Sequence, residues 1–200
     1  MRVFTWLHRV YVHERRTNVL SRHVAELLPA GATVVDVGAG DGLLAGKLLE
    51  RRPDLQLSAV EVLARPDAHV PVELFDGAHL DMADESVDFV LLIDVLHHAT
   101  EPLELLREAQ RVAREGVVIK DVKTNGLWAR ETLHLMERLA NTPHGISIPE
   151  TFWSETEWQE AFRELELRID SQRTGLGLYP FPANLVFERS FHFIVRLQSP

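Results

Sequence analysis

The run Val34-Val35-Asp36-Val37 breaks into three glycines at alternate positions, Gly38, Gly40 and Gly42, and then into LLAGKLLERR. The β-branched valines suit a strand buried on both faces of a parallel sheet, and the apolar and basic run after the glycines reads as a helix. A strand, a glycine turn and a helix leave bare backbone and a helix N-terminus beside a ligand, with no Cβ in the way. Nineteen residues after Gly42, Glu61 closes the apolar segment LSAVE. An acid at the end of the following strand accepts two hydrogen bonds from a ribose diol. The pattern points to an adenosine cofactor; a tight strand-to-helix turn with no ligand is the plainer alternative.

Spacing separates the cofactor classes. A dinucleotide fingerprint needs its third glycine at position 43, where this chain has Leu43. A phosphate loop needs Gly-Lys followed by Ser or Thr, and Gly46-Lys47 is followed by Leu48. With Asp36 ahead of the turn, D-x-G-x-G-x-G resembles the first motif of class I S-adenosylmethionine-dependent methyltransferases.

Further segments match that family in order. Phe75-Asp76-Gly77-Ala78 stands where the family has an acidic and a small residue beside the adenine. ADESVDFVLLIDVLHH resembles its fourth strand and the exit turn with a histidine, and ELLREAQRVAREGVVIKD resembles the next helix and strand. The resemblance covers Leu20 to Asp121 and is closest to the small-molecule, ubiquinone/menaquinone-methyltransferase-like type. The fourth strand exits as Asp94-Val95-Leu96-His97, unlike the Asn/Asp-Pro-Pro-aromatic tetrad of enzymes that methylate exocyclic base amines.

The pattern of elements predicts an α/β, Rossmann-like fold. It has a mostly parallel seven-stranded sheet, an antiparallel C-terminal strand pair and helices on both faces. N-terminal helices run to Leu28. Strands are expected at Thr33–Val37, Leu57–Val62, Val72–Phe75, Val87–Val95 and Val117–Asp121, with a helix at Leu43–Arg51. A short helix fits between Pro66 and Pro71. Thr100 is expected to cap a helix that Gly116 ends. After Asn125 the alternation stops. A helix is expected at Leu127–Ala140, and Ser154 with Glu157 forms a capping box opening another. Strand-like segments follow at Leu167–Asp170 and Phe191–Leu197. With no internal repeat or linker, residues 1–200 read as a single methyltransferase domain, 1–28 a helical lid and 125–158 a substrate cap.

The resemblance implies roles for particular residues. Gly38, Ala39 and Gly40 pass along the methionine and ribose portions of S-adenosyl-L-methionine. Asp36 orders the turn and the amino group, Glu61 takes the ribose hydroxyls, Asp76 and Gly77 border the adenine, and Asp94 reaches cofactor or acceptor. Each has a blander reading: a turn cap for Asp36, a solvated acid for Glu61, a routine Asp-Gly turn for Asp76. His98 at the exit turn and His144 in the cap are the candidate general bases. Adjacent extended residues point to opposite sides, so His97 and His98, even with Glu101 nearby, do not read as a metal site. The cap aromatics Trp128, Phe152, Trp153 and Trp158, with Met136, suit cover over a small, partly apolar acceptor.

Composition narrows the alternatives. With no cysteine, disulfides, cysteine-ligated zinc and cysteine-adduct methylation are excluded. A net charge of −9 argues against a nucleic-acid partner, whose phosphates call for clustered Lys and Arg. The absence of an apolar run of about 20 residues predicts no transmembrane segment. The N-terminus lacks a signal-peptide core, so a cytoplasmic protein is expected. The basic, amphipathic N-terminus carries a weaker prospect of contact with a membrane surface. A small-molecule acceptor is the expected partner. A nicotinamide-dependent oxidoreductase and a non-catalytic binding protein on the same fold are the competing functions.

Overall fold

The computed structural model describes residues 14–63, 65–124, 133, 151–181, 184–188 and 191–199. In chain order its elements are α1 (Glu14–Leu27), β1 (Thr33–Val37), α2 (Leu43–Arg51), β2 (Gln56–Glu61), β3 (Glu73–Leu74) and β4 (Val87–Ile93). A 3-10 turn (Leu96–His98) leads to α3 (Pro102–Val112) and β5 (Ala113–Val122). Then come α4 (Glu155–Glu164), β6 (Arg168–Thr174), α5 (Asn184–Phe187) and β7 (His192–Gln198).

The strands form one seven-stranded sheet in the order β3-β2-β1-β4-β5-β7-β6. Strands β1 to β5 are parallel, and β7 pairs antiparallel with both β5 and β6. This is the predicted Rossmann-like architecture. Side-chain alternation sorts the central strands into two cores. Val35, Val37, Val90, Leu92, Val117 and Ile119 pack with α3 and with Trp158 and Phe162 of α4. Val34, Phe89, Leu91 and Val118 face the other way, onto Leu20, Val24 and Leu27 of α1 and Leu48 of α2. By the same alternation Asp36 and Lys120 point to the α1 side.

The start of the sheet is fastened by Asp88, whose carboxylate accepts from the Thr33 amide and hydroxyl, both at 2.8 Å. The strand and helix at Thr33–Val37 and Leu43–Arg51 fall where the sequence places them. Ser154 and Glu157 form a complete capping box at the start of α4.

Several local expectations are corrected. Gly116 does not end α3. The helix stops at Val112 and Gly116 lies within β5, where an added Cβ would sit 1.9 Å from the Leu197 carbonyl oxygen. The glycine is there because β7 passes too close for any side chain. Thr100 is not the cap of α3: Glu101 holds that position without a side-chain cap bond, and Pro102 begins the helix, a position where its missing N–H costs nothing. Strand β4 ends at Ile93, two residues early, because Asp94 turns into the left-handed region at φ 58°. Residues 65–71 form turns and bends with no helix. Strand β6 runs to Thr174, four residues beyond the expected end.

Candidate active site

The carboxyl ends of β1, β2, β4 and β5 gather most of the residues singled out by sequence. At the end of β1 the amides of Gly38 and Ala39 both donate to the Val60 carbonyl, at 2.9 and 3.0 Å, tucking the turn against β2. Gly38 takes φ 73°, and a Cβ there would lie 2.6 Å from Val95 Cγ2, so only glycine fits. Gly40, by contrast, has nothing within 4 Å of where a Cβ would be. Its face of the turn is open to a ligand.

Glu61 ends β2 with 8% exposure, too buried for a solvated acid. Its carboxylate accepts from the Gly40 amide and from the Val62 amide, each at 2.7 Å. The two ends of the first sequence motif are thus directly joined. Asp36 is buried at 2% exposure, and its Oδ2 has no hydrogen-bond partner among the described residues. Burial, with the charge of Glu61 beside it, raises its carboxyl to about 7.

Asp76 is exposed and occupied with its own turn, accepting from the Ala78 and His79 amides at 2.7 Å each. Those bonds, the His79 amide foremost, lower its carboxyl to about 2. Gly77 follows at φ 91°, with Val62 Cγ1 only 3.2 Å from the position of an added Cβ. Val62 and Leu63 remain 46% and 44% exposed, leaving apolar surface next to Glu61.

At the end of β4, Asp94 is held by two cations. Arg16 of α1 donates to one carboxylate oxygen at 2.6 Å, and the ammonium of Lys120 in β5 pairs with the other. Burial works to raise the Asp94 carboxyl, but Arg16, Lys120 and His97 outweigh it and hold it well below the usual carboxylate range. Lys120 has no exposed surface; burial pulls its ammonium below the ordinary lysine range despite Asp94.

Next to this pair, His97 Nδ1 lies 2.6 Å from Asp121 Oδ1, with both side chains buried. The Val122 amide donates to the same oxygen at 2.7 Å. The His97 ring stacks on Phe152 at 5.7 Å, and its carbonyl accepts from the Thr151 amide at 2.9 Å. His98 is half-buried, its ring 3.9 Å from that of His97. The sequence reading missed Arg16, Lys120 and the His97–Asp121 pair. A Lys-Asp step inside the otherwise apolar strand VVIKDV was the signal available for two of them.

His144, Trp128 and Met136 lie outside the described residues. Within the expected cap, Leu133 is buried in a small cluster with Val122, Phe152 and Phe191. Trp158 is core rather than lining: it is 3% exposed, touches Phe162 and Phe193, and donates from Nε1 to the Val122 carbonyl. Among the described residues no group of three or more His, Asp or Glu is placed to hold a metal ion. Nor, among them, is any helix long and apolar enough to cross a membrane.

Comparison with known proteins agrees with this architecture. The family model of the methyltransferase domain matches residues 11–172. Over 60 residues, 30% of this chain and 24% of the relative, the chain is 50% identical to the ribosomal RNA small subunit methyltransferase G of Salinispora tropica. Over 118 residues, 52% of this chain and 43% of the relative, it is 27% identical to the 27-O-demethylrifamycin SV methyltransferase of Amycolatopsis mediterranei. The chain spans less than half the length of the curated relatives it matches. A chain of the complex between the Haloferax volcanii Trm112 methyltransferase activator and a methyltransferase superposes with a TM-score of 0.71. That match is 22% identical and covers 98% of this chain and 94% of the other. The glycine turn, the acid that anchors it and the mixed seven-stranded sheet therefore stand in a chain that belongs to the methyltransferase domain family.

Proposed function

We propose that this protein transfers a methyl group from S-adenosylmethionine to a small-molecule acceptor. The observation that carries the reading is the Glu61–Gly40 link, which sets a ribose-binding acid against an open glycine face. The residues present fit the cofactor. Asp36 offers a buried oxygen that has no partner among the described residues and suits a cationic group, and Val62 with Gly77 offers an apolar edge suited to a flat base.

When bound, S-adenosylmethionine supplies a methyl on a sulfonium that is its own leaving group. The protein's part is binding, orientation and exclusion of water. Glu61 accepts the ribose hydroxyls, the backbone from Gly38 to Gly40 lies along the methionine and ribose portions, and Asp36 faces the amino group. Asp76 acts through the shape of its turn, which sets Gly77 beside Val62. Asp94, fixed by Arg16 and Lys120, shapes the floor beneath the acceptor. His98 stands on the acceptor side and takes the acceptor's proton where one is lost, with His144 the second candidate base. Residues 1–28 and 125–158 cover the acceptor. The net charge of −9 and the lack of a base-amine tetrad after β4 favour a metabolite over a nucleic acid.

The test pairs cofactor and acceptor. S-adenosylmethionine and S-adenosylhomocysteine should each raise the melting temperature, with about 2.7 kcal/mol of stabilisation at a ligand concentration 100-fold above Kd. A shift with NADH in place of both would overturn the cofactor reading. Labelled methyl donor is then offered with a metabolite panel and with ribosomal RNA. Label on RNA alone would overturn the small-molecule acceptor. His98→Ala, Trp128→Ala and His144→Ala should lower turnover and leave cofactor affinity nearly intact.

A further inference from the structure

Asp36 sits at the carboxyl end of β1 with 2% exposure and a buried Oδ2 that has no partner among the described residues. A carboxylate removed from water without donors is costly, and such a group ordinarily resolves the cost by keeping its proton. The charged groups of the neighbouring elements do not relieve it. Glu61 on β2 is negative and raises it further. Arg16 on α1 and Lys120 on β5, cations at the same end of the sheet, are both engaged with Asp94 at the exit of β4. Asp41 in the glycine turn is another acid, and its carboxylate accepts from the Leu43 amide.

On the cofactor reading above, we propose that Asp36 is neutral in the free protein and releases its proton when the α-ammonium of the cofactor docks against it. The exchange balances simply. The Asp36 O–H bond breaks, its proton passes to solvent, and the carboxylate left behind pairs with an ammonium that keeps all three of its hydrogens. No bond of the cofactor is made or broken. S-adenosylhomocysteine carries the same ammonium and drives the same release; the sulfonium is not required.

A carboxyl raised to about 7 places the exchange in the neutral range. By linkage, about 0.9 proton leaves on binding at pH 6 and about 0.1 at pH 8, and cofactor affinity rises about tenfold between them. Binding of either ligand would therefore acidify an unbuffered solution.

Titration calorimetry of the full chain with S-adenosylhomocysteine, in two buffers of different ionisation enthalpy, counts the protons directly. The expected result is close to one proton released at pH 6 and close to none at pH 8. At pH 6, where its amine is also fully protonated, S-adenosylmethionine should give the same count. Asp36→Asn should bind S-adenosylhomocysteine with an affinity that is nearly flat across that range. A buffer-independent enthalpy at pH 6, with binding intact, overturns the proposal and leaves the cofactor reading standing. Absence of binding at every pH overturns both. Release with S-adenosylmethionine alone, or on binding 5′-methylthioadenosine, which has no ammonium, overturns the assignment to the α-ammonium. A pH slope retained in Asp36→Asn transfers the proton to another group. The proton count uses the unmodified chain and stands even if the variant does not fold.

Discussion

The amide of Asp94 donates to the carbonyl of Lys120 at 2.7 Å, and the ammonium of Lys120 returns a bond to the Asp94 carboxylate. One residue thus grips both the backbone and the side chain of the other. The grip falls where Asp94 leaves β4 in the left-handed region, a conformation that Asp tolerates and most residues avoid. A buried lysine also keeps the carboxylate ionised at the mouth of the sheet. Arg16 completes the arrangement from α1.

Lys120→Met should therefore destabilise the fold strongly. Removing one partner of a buried ion pair typically costs about 3–5 kcal/mol, because it leaves the other charge without its counter-ion. Urea unfolding would measure it. Arg16 lies beside Asp94 and softens the loss, so the lower end is expected. The double variant Lys120→Met/Asp94→Asn should recover part of the difference. Equal stability of Lys120→Met and the unmodified protein would show that Arg16 alone satisfies Asp94.

Asp36→Asn should change stability in a pH-dependent direction. The folded state holds its Asp36 proton up to about pH 7, whereas the unfolded chain loses it near the ordinary aspartate value of 3.8. The folded state thus binds more protons between those limits, and stability falls as pH rises through the window. Asparagine removes that loss. The variant should melt near the unmodified protein at pH 4 and above it at pH 8, with a gain of at most about 4 kcal/mol. A variant less stable at pH 8 would mean that Asp36 is already satisfied as a carboxylate.

Glu61→Gln preserves shape and removes charge. Cofactor affinity should fall by about 1.5–3 kcal/mol, the range for hydrogen bonds to a charged group, or roughly ten- to a hundredfold in Kd. Glu61→Ala should in addition cost about 1–3 kcal/mol of stability, since the Gly40 and Val62 amides lose their acceptor. Calorimetry and thermal melting on the same preparations separate the two effects. Unchanged affinity in both variants would confine Glu61 to holding the turn.

Ser154→Ala removes the side chain that accepts from the Glu157 amide at the start of α4. A loss of about 1 kcal/mol is expected from denaturant unfolding. Cofactor affinity should not move. A loss below about 0.3 kcal/mol would show that the Glu157 half of the box suffices.

The parts of the fold that the sequence discloses rest on short-range chemistry. The strand, glycine turn and helix from Thr33 to Arg51 are written in β-branching, backbone freedom and apolar spacing. The Ser154–Glu157 box spans three residues. What stayed hidden depends on residues far apart in the chain. His97 meets Asp121 across 24 residues, Lys120 meets Asp94 across 26, and Arg16 meets Asp94 across 78. Periodicity marks such charges as polar and does not name their partners. Gly116 was misread for the same reason. A glycine after a helical run looks like a stop signal, while the demand on it comes from Leu197 in the last strand. The burial of Glu61 was equally out of view, since it depends on the turn that folds back over it.

The attachment of Arg16 to Asp94 also sets where the two halves of any fusion must go. It fixes the beginning of α1 at the carboxyl ends of the strands, beside the candidate site. The final strand leaves at the opposite side: Gln198 is in register with Gly116, near the start of β5. A purification tag or reporter domain fused directly to Glu14 would begin beside those carboxyl ends. The same module joined downstream hangs from the far rim of the sheet, clear of traffic in and out.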